Sequence, residues 1–269
     1  MRLSNYPGAN AIIPAMLILV IILGWLAGAI INYIADVLPH TRRLSYPFCN
    51  NCEEQQPLFN YFFWPRKCPH CQHSRKFRTW VVEAFLVTSV IWLWYQTDLV
   101  MGFWFSLVLI IYFGIVVVID LEHHLIMHPT SVFGAILGLI IGFQLHGILD
   151  TVLGGLAGFA AMLGLYILGA LFARFVVRRS QSGFNDEALG FGDVILGGIL
   201  GLILGWPAII AGLFFAIIFA GVISLLYLLV TFFARKYKAF TFIPYGPFMV
   251  AGAAVLIFFN QYFINAFGG

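Results

Sequence analysis

Apolar residues along this chain come in long, nearly unbroken runs, not in the period-3.6 or period-2 stripes of a half-buried helix or strand. Runs of about 20 apolar residues are long enough to cross a bilayer. Eight candidates stand out, at roughly 12–35, 80–97, 99–119, 131–147, 150–174, 193–206, 208–233 and 244–265. The sixth is short and leans on Gly197, Gly198 and Gly201. The first is too long for the apolar region of a signal peptide and opens with a single Arg, so it reads as a retained helix. The pattern predicts an all-α polytopic membrane protein of about eight transmembrane helices. Its parts are the first transmembrane helix over 1–35, a small cytoplasmic module over 36–79, and a seven-helix membrane core over 80–269.

Composition agrees. The 269 residues are 62% hydrophobic and 9% charged, whereas a soluble domain carries about 25% charged residues. The net charge of +3 says little by itself, but its placement is informative. Of the 14 Lys and Arg residues, seven lie between the first two runs, three at Arg174, Arg178 and Arg179, and three at Arg235, Lys236 and Lys238. With eight spans all of these fall on one side, which the positive-inside rule makes cytoplasmic, with both termini outside. The opposite turns, near Thr97-Asp98, His146–Asp150 and Trp206-Pro207, hold no Lys or Arg.

That topology brings Asp120, at the end of the third run, and Asp193, at the start of the sixth, to the same membrane boundary. An ionised aspartate near hydrocarbon costs roughly 2.5–3.5 kcal/mol at a helix centre. A helix-end aspartate is commonly a cap or a solvated boundary residue. Two on one face can also do acid–base work. Amide hydrolysis by such a pair needs one carboxylate to take a proton from water and one carboxylic acid to donate a proton, so the pair shares a proton. Gly190 and Gly192 precede Asp193 and admit φ > 0 and close backbone approach. The dipole at the start of the sixth run favours an anion there, which inclines the assignment towards Asp193 as base and Asp120 as acid.

All four cysteines lie in the polar insertion, as Cys49-x2-Cys52, fifteen residues, then Cys68-x2-Cys71. That is the spacing of a four-thiolate zinc site. A reducing cytoplasm disfavours the alternative of disulfides. Four thiolates leave no open position, so the zinc would be structural, a staple for a module with little core. His70 and His73 are poorer ligand candidates. His123, His124 and His128 read better as interfacial residues than as a metal site, and His124 sits where it could tune Asp120. No nucleotide-binding motif is present, and nothing points to nucleic acid.

Together these motifs resemble the type IV prepilin peptidase family, the GxGD-type membrane aspartic proteases. The stretch 24–39, with Gly28 and Asn32, is similar to the family's first helix. The CxxC pairs resemble its cytoplasmic loop, and 75–85, with Glu83, its lead into the second helix. The runs 117–129 and 187–196 resemble its two aspartate motifs, and 243–253 its Pro-x-Gly-Pro lead into the last helix. The resemblance implies that Asp120 and Asp193 are the catalytic pair. It adds Glu187 as an acid facing the substrate's basic leader. It also implies cleavage of type IV prepilin or pseudopilin precursors at the cytoplasmic face of the bacterial inner membrane, beside membrane lipids. Many bacterial members also methylate the new N-terminus with S-adenosylmethionine. Two departures stand out: Ile195 replaces a usual Lys, and Ile126-Met127-His128-Pro129 replaces Ile-Pro-Asp or Ile-Pro-Asn. They keep open a degenerate relative that binds without cutting. A scaffold or transporter with a zinc module is the reading from another class, although its acids would be expected nearer the midplane.

Overall fold

The computed structural model describes residues 9–49, 51–52, 54–63, 66–96, 99, 101–177, 190–234 and 244–259. They form eight α-helices: α1 (Ala9–Thr41), α2 (Leu58–Phe62), α3 (Phe77–Tyr95), α4 (Gly102–His123), α5 (His128–Val177), α6 (Phe191–Leu204), α7 (Ala208–Phe233) and α8 (Gly246–Phe258). The chain is an all-α, multi-pass membrane protein. Five helices are long and apolar enough to cross a bilayer. The longest, α5, has 50 residues and is broken at Gly147 (φ 80°, ψ 171°), so the separate fourth and fifth runs of the sequence appear as two helical arms. The helices α6 and α8 are shorter, at 14 and 13 residues. Between α1 and α3 lies the short α2, which no apolar run announced.

Two compact units divide the chain, residues 1–118 and 119–269. In the first, α1 packs along α3. The contact is close because α1 presents glycines: a Cβ on Gly28 would lie 2.7 Å from Glu83 Cα, and one on Gly24 would lie 2.8 Å from Val87 Cα. Val20, Val90 and Leu107 bury one another where α1, α3 and α4 meet. The helix α1 runs six residues past its apolar stretch, to Thr41, because Val37 and Leu38 continue the buried face.

Beyond α1 the cysteine module is made of two matching loops. Each CxxC lies inside a minimal antiparallel bridge, Phe48 with Gln55 and Lys67 with Ser74. In each the first cysteine's N–H donates across the loop, Cys49 to Glu54 O at 2.9 Å and Cys68 to His73 O at 3.1 Å. Two ion-pair systems tie the module to the helices. Asp36 of α1 accepts from Arg78 at 2.6 Å, Arg75 at 3.3 Å and the Tyr61 hydroxyl at 2.5 Å. Burial and the Asp36 carboxylate push the Tyr61 hydroxyl far above the ordinary phenol range. The second pair, Arg66 with Glu83 at 2.8 Å, is almost wholly out of solvent. The Arg66 guanidinium lies over the rings of Trp25 and Trp80.

In the second unit α5 packs on α6 and α7 on α8, with α6 also touching α8. Between helices in lipid the gain comes from close backbone approach at small residues. Gly154 and Gly158 of α5 face Gly201 and Gly197 of α6 with no room for a Cβ on either side. Gly252 of α8 meets Gly212 of α7 in the same way. Leu225, Leu226, Leu228, Leu229 and Val230 of α7 are all exposed, as expected of a helix whose solvent is hydrocarbon.

Candidate active site and cysteine cluster

Both aspartates belong to the second unit. Asp120 lies in the last turn of α4, whose helical hydrogen bonding ends as the His124 N–H reaches Asp120 O at 2.9 Å. Asp193 is the third residue of α6, with its N–H on Gly190 O at 3.0 Å. The apolar runs stop at these two residues, so each carboxylate is carried on a rigid helix end. Both are nevertheless shielded from water, with Asp120 4% and Asp193 8% exposed. The two side chains lie within electrostatic reach of each other. Asp120 Oδ2 is buried and has no hydrogen-bond partner among the described residues. Two carboxylates so placed, one with acceptor capacity to spare, have the components of an acid–base pair.

A third element completes the surroundings. The start of α8 comes against Asp120, with the Gly246 N–H facing its carboxylate. A Cβ on Gly246 would overlap Asp120 Oδ2. Tyr245, which precedes α8, lies within electrostatic reach of Asp193, and His124 interacts with Asp120. Sequence reasoning treated the Pro-x-Gly-Pro run only as a helix lead-in. The glycine in it was the available signal, since a helix start that must approach another side chain closely has to dispense with a Cβ.

The glycines around Asp193 act differently from expectation. Gly190 is extended (φ −75°, ψ 143°) and Gly192 lies inside the helix. Neither is among the described residues with positive φ. An extended N-cap followed by a helical first turn is open to any residue, so conformational freedom is not what the position needs. Space is needed at Gly192, where a Cβ would lie 2.9 Å from Ile126 Cβ and push away the α4–α5 connection. Glu187 lies outside the described residues, as do Asp186 and the basic residues at 178, 179, 235, 236 and 238.

In the first unit the four cysteines converge. The Sγ atoms of Cys49, Cys52, Cys68 and Cys71 all lie within 4.8 Å of one another. Cys49 Sγ is 3.4 Å from Cys71 Sγ, and Cys52 Sγ is 3.6 Å from Cys68 Sγ. A disulfide would need about 2.05 Å. A tetrahedral ion with bonds of about 2.3 Å to sulfur sets its ligands about 3.8 Å apart, so the set fits a four-thiolate metal site. Burial pushes the Cys49 thiol up, but the N–H groups of Asn51 and Cys52 and the neighbouring thiols outweigh it and hold it at about 6. At Cys52 the Glu54 N–H pulls down, yet burial and the other three thiols prevail and push it up to about 12. One thiolate thus discourages the next, a conflict that a bound cation removes. Among the described residues these cysteines are the one group of three or more metal-ligating side chains.

The profile of the type IV leader peptidase family matches residues 107–226, which include both aspartates. Three relatives carry the description prepilin leader peptidase/N-methyltransferase. The one from Pectobacterium carotovorum subsp. carotovorum is 25% identical over 238 residues, covering 81% of this chain and 75% of its own length. That from Myxococcus xanthus (strain DK1622) is 26% identical over 242 residues, covering 85% and 67%. That from Bacillus subtilis (strain 168) is 23% identical over 230 residues, covering 83% and 84%. No solved structure matches the chain.

Proposed function

We propose that the chain is a member of the type IV leader peptidase family, to which its profile match and its relatives point, and that it is a membrane aspartic endopeptidase in which Asp120 and Asp193 are the catalytic pair. One observation carries the reading: two carboxylates from helix ends 73 residues apart in sequence (193 − 120) are buried within electrostatic reach of each other. The pair holds one proton between its carboxyl groups. The ionised member takes a proton from water as it attacks the scissile carbonyl, and the protonated member donates its proton to the carbonyl oxygen. As the gem-diol collapses, the first member passes the proton it took to the leaving nitrogen and the second recovers one from a diol hydroxyl, so the pair again holds one proton. Asp193, in the first turn of α6, is the better base on dipole grounds. Gly246 holds Asp120 in orientation.

The substrate is a type IV prepilin-like or pseudopilin precursor, with a basic leader followed by an apolar helix. The apolar helix lies in the bilayer, so partitioning brings the scissile bond to the depth of the helix ends that carry the aspartates. Glu187 meets the basic leader. The reaction takes place at the cytoplasmic face of the inner membrane, with 80–269 as the peptidase core. Cys49, Cys52, Cys68 and Cys71 hold a structural zinc ion, which when bound supplies cross-linking and no open coordination position. Methylation of the new N-terminus is the finer part of the reading and is carried by the relatives' names alone.

The decisive experiment incubates the purified protein and its Asp120→Asn and Asp193→Asn variants with a class III precursor, with and without the methyl donor. Each variant should lose at least about 10³-fold in kcat, as when a residue acting as part of a unit is removed. Zinc content and helicity should stay at the parent's level. Appreciable cleavage by either variant refutes the assignment, and a parent that binds precursor without cutting is the degenerate relative.

A further inference from the structure

Where α3 begins, the first unit has a small half-open cavity whose wall carries Arg66, Arg75, Lys76 and Arg78 against a single carboxylate, Asp36. Arg66 is already matched by Glu83. Arg75 and Arg78 share Asp36 between them, and Lys76 makes no ion pair among the described residues. Among the described residues that line it, three cations against one acid leave two positive charges on this wall. Hydroxyls of Ser74 and Thr79 add neutral donors. Lys76 is also the N-cap of α3 and its side chain makes no capping bond, so the amides of the first turn of a 19-residue helix add their positive field at the same place.

The surroundings say from which side an anion would come. The first residue of α3, Phe77, is 81% exposed, and Trp80, one turn on, is 48% exposed. The candidate span begins at that same Phe77. Exposed aromatics and basic side chains at the end of a span mark the headgroup layer. The cavity therefore lies at headgroup depth. Its several donors suit a phosphate, which offers more acceptor oxygens than a carboxylate and pairs with guanidinium forks.

We propose that this cavity binds the phosphate of an anionic phospholipid headgroup, held by Arg75, Lys76 and Arg78 at the start of α3. The inference is independent of the endopeptidase reading. The competing role for the same cations is to balance the thiolates of the cysteine cluster, since Cys49 lies on the same wall. The two roles separate experimentally.

The full-length protein in neutral detergent is titrated with phosphatidylglycerol, with phosphatidylcholine, and with inorganic phosphate alone, and bound species are counted by native mass spectrometry with zinc content read in parallel. Phosphatidylglycerol should bind saturably and phosphatidylcholine weakly. Lys76→Gln, an exposed position whose change should leave the fold intact, should weaken phosphatidylglycerol about fivefold, the factor for one basic side chain at a charged membrane surface. Arg78→Gln should weaken it further, and Lys76→Gln should keep its zinc. Saturable binding of inorganic phosphate with the same dependence on Lys76 would keep the phosphate site but overturn the lipid as its source. Equal binding of the two lipids, or an unchanged affinity in both variants, would overturn the site. Loss of zinc from Lys76→Gln without loss of lipid would assign the cations to the thiolates.

Discussion

The buried pair of Arg66 and Glu83 makes an asymmetric prediction. Arg66 has 6% and Glu83 5% of its side chain exposed. Glu83 Oε2 accepts from Arg66, while Oε1 is buried with no hydrogen-bond partner among the described residues. Arg66→Met leaves the whole carboxylate buried and unmatched, which costs about 3–5 kcal/mol. It also removes two ring contacts, with Trp25 at 5.5 Å and Trp80 at 5.1 Å, each worth about 0.5–1 kcal/mol or more. Glu83→Met leaves a guanidinium that keeps both rings and still donates its Nε–H to Phe62 O at 3.1 Å. It also removes an unsatisfied acceptor that itself costs about 1–3 kcal/mol. Methionine is chosen because Gly28 brings α1 against Glu83 Cα and Cγ, which leaves no space for a branch. Glu83→Met should therefore cost about 1–3 kcal/mol and Arg66→Met about 3–5 kcal/mol. The double variant should be more stable than Arg66→Met alone. Thermal unfolding in detergent, followed by far-ultraviolet circular dichroism at one fixed scan rate, gives the order. Equal losses from the two single variants, or a double variant less stable than Arg66→Met, would refute the reasoning.

Three further outcomes are expected. Gly246→Ala should displace Asp120 and lower kcat about 10²-fold, the scale of an ångström-sized misplacement, with KM and zinc content unchanged; precursor-cleavage kinetics check it. Cys49→Ser or exhaustive chelation should abolish stoichiometric zinc in elemental analysis and expose the segment around residues 44–76 to limited proteolysis, while the second unit keeps its helicity, because structural metal binding is folding free energy. Gly158→Leu would force a side chain onto the Gly197 carbonyl and should cost about 1–3 kcal/mol of stability, read as a lowered apparent Tm; an unchanged Tm would contradict the α5–α6 contact.

What could be read in advance follows from where each interaction is encoded. The cysteine cluster was legible because each CxxC fixes two ligands locally, and the equal loops needed only to be brought together. Asp120 and Asp193 were legible because an apolar run has an end, and polar residues at that end stand out against hydrocarbon. The Gly147 break was legible as the seam between the fourth and fifth runs. Gly246 and Asp120 are 126 residues apart (246 − 120), and nothing local to either signals the other. Arg66 was counted as one orienting charge among seven, although its charge is spent inside the protein on Glu83, a residue in a predicted span. The expected torsional freedom at Gly190 and Gly192 was drawn from what glycine permits; the structure uses only the missing Cβ of Gly192.

The 14 residues of α6 rise about 21 Å at 1.5 Å each, whereas the hydrocarbon core of a bilayer measures about 30 Å. Its bounding glycines, Gly190 extended and Gly205 at φ 72°, stop it from lengthening at either end. Nine of its residues are buried by neighbouring helices, so the shortfall falls within the protein, and at least one end of α6 stops short of the hydrocarbon boundary. For the endopeptidase proposed above, water would have to reach the first turn of α6 along a path between helices, not through open bilayer.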